Sequence, residues 1–189
     1  MTGVVRQAFN TLRNAGARMD PGLTDAEVEQ VQLRWNVRFC EDHAGLLRLG
    51  VPVGNGWVDW RHAAEKTIRM RLDAPITGLL FDVEYNEFWP ASWGPRPDST
   101  AEARSMARDR LSAWPRLLPV YRHRYLPPGP YPSPAPLLSV MQSDVVHYGL
   151  DLVEWVQREF FGVPLPEHPV RPPVGPWSRM ADGCGDAEL

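Results

Sequence analysis

The chain predicts an α+β fold, and two stretches carry that reading. Residues 23–61 hold a capped helix, a short second helix and an Asn-Gly turn that ends in Trp57-Val58-Asp59-Trp60. Residues 139–149 read as two strands joined by a turn, and they run straight into a C-terminal helix. Neither stretch carries a recognisable catalytic apparatus, so the expected task is to grip another macromolecule. At 189 residues the chain is long enough for one domain with a real core.

Taken in order, Val5, Ala8, Phe9, Leu12 and Ala15 recur at helical spacing, and Gly16 is placed to stop that helix. This N-terminal helix, within residues 1–20, precedes a main domain at 20–162. Thr24 caps the next helix, Glu27 reaches back to the Thr24 amide, and Leu23 staples onto Val28. Val28, Val31 and Trp35 line its inner face, with Phe39 joining them. His43, Leu46, Leu47 and Leu49 mark a short helix closed by Gly50. Residues 61–72 read as a helix, residues 79–85 fit a strand or a helix, and 89–98 form a loop rich in Trp, Gly and Pro. Residues 100–114 are helical again. Residues 117–126 read as one strand, with Tyr121, His123 and Tyr125 on one face and Val120, Arg122 and Arg124 on the other. The proline run at 127–136 admits neither strand nor helix. Residues 137–141 and 145–148 are strands. Leu150, Val153, Val156 and Phe160 mark the last helix, closed by Gly162. The Pro-rich tail at 163–189 has too few apolar residues to order itself, Trp177 being the main exception.

Composition narrows the function. A net charge of -3 argues against a nucleic-acid partner, although a local basic patch is compatible with it. Cys40 and Cys184 form neither a disulfide framework nor a metal knuckle, which points to the cytoplasm. There is no signal-like apolar start and no run of 18 apolar residues, so no membrane span is expected.

A set of short motifs now falls into a familiar order. Gly22-Leu23-Thr24-Asp25-Ala26-Glu27 heads a helix, followed by Phe39 and Leu46-Leu47-Arg48-Leu49-Gly50. Then come Trp57-Val58-Asp59-Trp60, Phe81-Asp82-Val83-Glu84 with Phe88-Trp89, and Trp93-Gly94-Pro95-Arg96-Pro97. Val120-Tyr121-Arg122-His123-Arg124-Tyr125 and Ser139-Val140-Met141-Gln142-Ser143-Asp144 complete it. Over residues 20–162 this order resembles bacterial members of the Smi/Knr-type SUKH superfamily. The resemblance implies helices packed on a strongly bent, largely antiparallel or mixed sheet. It also implies a binding role without a cofactor: an immunity protein that neutralises a toxin, or an interaction scaffold.

The rival chemistries are weak. His43, His62, His123, His147 and His168 are dispersed, without the convergent spacing that zinc requires, so no metal site is expected. Asp144 with His147 would suit general-base work in a small hydrolase, but turn propensity at Asp144 is the favoured reading. Asp82 and Glu84 lack the downstream Lys of one nuclease type, and no P-loop or nucleophile elbow exists. The aromatics are the better lead, since Trp and Tyr give large contact area at low entropy cost. Trp35, Trp60 and Trp155 are expected in the core, whereas Trp57, Trp89, Trp93 and Tyr121 are candidates for an interface. Asp82, Glu84 and Glu87 would steer a basic partner toward it, with Asp144 and His147 at its margin. The expected function is therefore a non-catalytic protein-binding domain. The expected partner is a toxin, and the alternatives are a regulatory scaffold for an endogenous protein or a small hydrolase using Asp144 and His147.

Overall fold

The computed structural model describes residues 2–164 and 173–183. The fold is α+β, as the sequence predicts, and all strands pair antiparallel. Helix α1 spans Gly3–Asn14 and buries Val5, Ala8 and Leu12. It packs in one cluster with Leu126, Leu137, Leu152, Trp155 and Val156, so it is part of the main core and not a separate appendage.

Strand β1 (Arg18–Pro21) pairs with β2 (Gly50–Val53), bracketing α2 (Asp25–Trp35) and α3 (Glu41–Leu49). The capping box forms as its sequence dictates. Thr24 Oγ1 accepts from the Glu27 amide, and Glu27 Oε2 accepts from the Thr24 amide at 2.8 Å. Arg61 Nε donates to the free side of the same carboxylate at 2.7 Å. These bonds, Arg61 first and the Thr24 amide second, lower the Glu27 pKa to about 2. Leu23, Val28, Val31, Trp35, Phe39 and Trp60 then form a second cluster.

Residues 61–85 correct the sequence reading. Helix α4 runs unbroken over Glu65–Tyr85, with Pro75 inside it. An interior proline costs a helical hydrogen bond, about 3 kcal/mol. Here Pro75 faces inward among Ile68, Leu72, Leu79, Leu80 and Val83, and their burial outweighs that loss. Residues 79–85 are thus helical, not strand. Helix α5 covers Thr100–Leu111 and packs Ala103, Ala107 and Leu111 with the C-terminal half of α4.

Residues 117–126 also differ from expectation. They form a hairpin, β3 (Leu118–Tyr121) and β4 (Arg124–Leu126), turned by Arg122 at φ +46°. Arg122 carries no glycine-like sequence signal for a left-handed turn, so alternation ran through it. Strands β5 (Leu137–Met141) and β6 (Asp144–Gly149) complete a four-stranded meander, β3-β4-β5-β6. Helices α1 and α6 (Leu152–Phe161) cover one face. On the other, Tyr125, Leu138, Val140 and Val145 meet α4 and α5.

The tail is the third correction. Helix α7 (Pro176–Ala181) buries Trp177 completely against Trp114, and Trp177 Nε1 donates to the Pro115 carbonyl at 2.8 Å. One tryptophan supplies enough apolar area to dock the segment. Residues 165–172 and 184–189 of the expected flexible tail, with Cys184 and His168, lie outside the described residues.

Candidate interaction surface

Helix α4 has two uncharged faces. One is buried in the core. The other comprises Met70, Ala74, Thr77, Phe81 and Tyr85, at the three- and four-residue steps that bring side chains onto one helix face. Met70 and Tyr85 stand fifteen residues apart in the chain, about 22 Å at 1.5 Å per residue. All are on the solvent side, with Met70 61%, Phe81 44% and Tyr85 63% exposed. Isolated exposed apolar residues need no explanation, but an aligned stripe of them does.

The end of the stripe is held rigidly. The Phe81 and Tyr85 rings contact each other at 4.6 Å between centroids. The Tyr85 hydroxyl donates to Glu84, which raises the Tyr85 pKa, and Glu84 in turn accepts from Arg104 Nε at 3.0 Å. One helical turn away, Asp82 is buried and fixes the β5–β6 turn. Its Oδ2 accepts from the Ser143 amide at 2.7 Å and its Oδ1 from Asn86 Nδ2 at 2.6 Å. Gly78 lets this turn approach, since a Cβ there would lie 3.0 Å from the Gln142 Cα. Met141, 55% exposed, sits on the same turn.

The other candidate residues divide into three groups. Asp82 is a buried structural acceptor and not a free surface charge. Glu84 is half-buried and paired, while Glu87 is exposed just beyond α4 at φ +57°. Trp93 is buried in the core, and Trp89 packs edge-on against it at 5.2 Å while donating to the Gly94 carbonyl. Those two tryptophans therefore stabilise their own loop. Trp57 and Tyr121 do come together, bridged by backbone pairing and with rings 4.6 Å apart. Trp155 and Phe160 extend that cluster, whose outer edge lines an open cleft of about 300 Å³ beside Arg18 and Asn55.

Asp144 and His147 are separated. Burial alternates along β6, so Asp144 points to solvent and His147 inward, three residues apart on opposite faces of the strand. His147 Nε2 lies 3.0 Å from Asp182 Oδ1, next to α7. No Asp144–His147 dyad exists in this geometry. Among the described residues no three His, Cys, Asp or Glu side chains gather as a metal site. No described helix is long and apolar enough to cross a membrane.

A buried polar cluster lies on the α6 side of the sheet. Arg124 Nε donates to Glu159 Oε2 at 2.9 Å, and its Nη1 to Ser139 Oγ at 2.9 Å. Both side chains of the ion pair are over nine-tenths buried. Arg124 and Arg158 both lie over the Tyr148 ring, at 3.6 and 4.1 Å. The cluster ties β4, β5, β6 and α6 together, and every charge in it is engaged.

Sequence reasoning missed Phe81, Tyr85, Met70 and Met141. The signal was present: read as one helix, residues 65–85 have an uncharged stripe beyond the one their core requires. Reading 79–85 as strand or helix hid it. Comparison with protein-family profiles, with curated proteins and with solved structures returned no match for this chain.

Proposed function

We propose that this chain is a non-catalytic protein-binding domain, and that it acts as an immunity-type factor that masks a toxin. The observation that carries the reading is the exposed stripe on α4, with its ring pair fixed by Glu84 and Arg104. Aromatic anchors already held in one arrangement lose little entropy on binding, which is how a small surface gains affinity. Glu87, exposed just beyond the C-terminal end of α4, gives that end of the stripe a negative character suited to a basic partner. The resemblance to the Smi/Knr-type superfamily favours the same class of function. The opposed orientations of Asp144 and His147 weigh against the hydrolase alternative.

The mechanism is stoichiometric. The partner buries Phe81 and Tyr85, the acidic margin orients its approach, and no bond is made or broken. Affinity capture from the native cell tests this, using the intact chain and the pair Phe81→Asp with Tyr85→Asp. A partner held in fixed stoichiometry by the first and lost from the second supports the proposal. Loss of at least 2 kcal/mol, about 30-fold in affinity, is expected for a central aromatic anchor. Equal capture by both would overturn it.

A further inference from the structure

The outward stripe of α4 has an internal symmetry. Met70 and Tyr85 stand equally far from the Thr77–Gly78 midpoint, and so do Ala74 and Phe81. Laid antiparallel on itself about a two-fold axis at that midpoint, the helix sets Ala74 opposite Phe81 of the second copy. Met70 then meets Tyr85. Small faces large at each step, and thioether faces ring, which are favourable contacts. Thr77, exposed at the crossing, carries little bulk, while Gly78 beside it is taken up by the β5–β6 turn.

Charge follows the same symmetry. Lys66 and Arg69 flank the N-terminal half of α4, and Glu84 and Glu87 flank or follow its C-terminal end. The C-terminal acids oppose the helix macrodipole, and no basic residue occupies the last turn to offset them. A two-fold axis keeps each flank on its own side. Arg69 and Glu84 are already paired within the chain, with Glu65 and Arg104, so antiparallel pairing brings Lys66 against Glu87 of the second copy, and the helix dipoles against each other. A parallel arrangement would set like charges together.

We propose that two copies of this chain pair through α4, antiparallel, and so cover the stripe until a partner displaces one of them. This rests on the reading of α4 as the interaction surface. A single helix pair about 22 Å long is a small interface, so the dimer is weak and reversible, as displacement requires.

Sedimentation equilibrium of the full chain, from micromolar to millimolar concentration, tests the pairing. A monomer–dimer equilibrium is expected, and Ala74→Glu abolishes it while leaving the circular dichroism spectrum unchanged. Lys66→Glu and Glu87→Lys each weaken it about tenfold, and combining them restores it, because reversed charges again face each other. Thr77→Cys forms a disulfide-linked dimer readily, whereas Thr67→Cys, far from the axis, does not. A chain monomeric at every concentration overturns the pairing, as does a dimer indifferent to Ala74→Glu or a double charge reversal without rescue. Partner capture is scored separately. A monomer that still loses its partner on Phe81→Asp with Tyr85→Asp removes the self-pairing and leaves the proposed function standing.

Discussion

Replacing Glu159 by Ala strands the Arg124 guanidinium inside the protein. Its side chain is 8% exposed, and its charge-neutralising partner, 2.9 Å away, is gone. Removing one member of a buried ion pair costs about 3–5 kcal/mol, because the remaining charge is left unsolvated. The Ser139 hydroxyl stays in place, and so does the Tyr148 ring at 3.6 Å, which is worth about 1–2 kcal/mol to a desolvated cation. Arg158, over the same ring, adds like-charge repulsion. The lower end of the range, about 3 kcal/mol, is therefore expected. With a urea dependence of about 2–3 kcal/mol per molar for a domain of this size, the unfolding midpoint falls by about 1–1.5 M. Glu159→Gln keeps an acceptor and loses less. Arg124→Met combined with Glu159→Leu removes both charges and returns to near the parent stability. A midpoint for Glu159→Ala within about 0.3 M of the parent, a shift far too small for a buried pair, would refute the reasoning.

Three further outcomes follow from the same structure. His43 is fully enclosed by Phe39 and Trp60, and burial lowers its pKa from 6.5 to about 3. The unfolded chain thus takes up a proton that the folded one refuses, so stability falls as pH drops from 6.5 toward about 3, and is unaffected above that window. Against His43→Leu, the parent should lose about 1.4 kcal/mol per pH unit there, measured by urea unfolding at stepped pH. Trp177→Ala empties the site against Trp114 and costs about 3–5 kcal/mol, seen calorimetrically as a drop of roughly 8–15 °C. Asp82→Ala leaves the Ser143 amide without its acceptor, costs about 2–3 kcal/mol, and speeds hydrogen exchange at that amide specifically.

Local signals were legible in the chain. The Thr24–Glu27 capping box needs only four residues, and it formed with the Leu23 staple and the Val28–Val31–Trp35 face intact. The β5–β6 pair and α6 were equally local, with Asp151 capping the helix and Gly162 ending it. What failed depended on distant packing. Pro75 is tolerated in α4 because both flanking stretches are buried, Ile68 and Leu72 in the cluster with α2, and Leu79, Leu80 and Val83 in the cluster with α5 and the sheet. The turn at Arg122 is held by its amide donating to the Gly56 carbonyl at 2.7 Å, 66 residues earlier in the chain. Trp177 orders the tail through a pocket built from α5 and the residues after it. The interaction surface was obscured for the same reason. Loop composition suggested Trp89 and Trp93, yet a Trp pair satisfies itself by stacking edge-on, whereas helix geometry leaves Phe81 and Tyr85 outside.

Hydroxyl-radical footprinting of the complex isolated from cells probes that surface without mutation. Compared with the dilute free chain, oxidation of Met70, Phe81 and Tyr85 should fall by at least about fivefold, since a central anchor is fully desolvated in a bound state. Trp57 and Phe160, at the separate cleft beside Arg18 and Asn55, should keep their free rates. Protection at Trp57 and Phe160, with the α4 side chains reacting as before, would contradict the assignment.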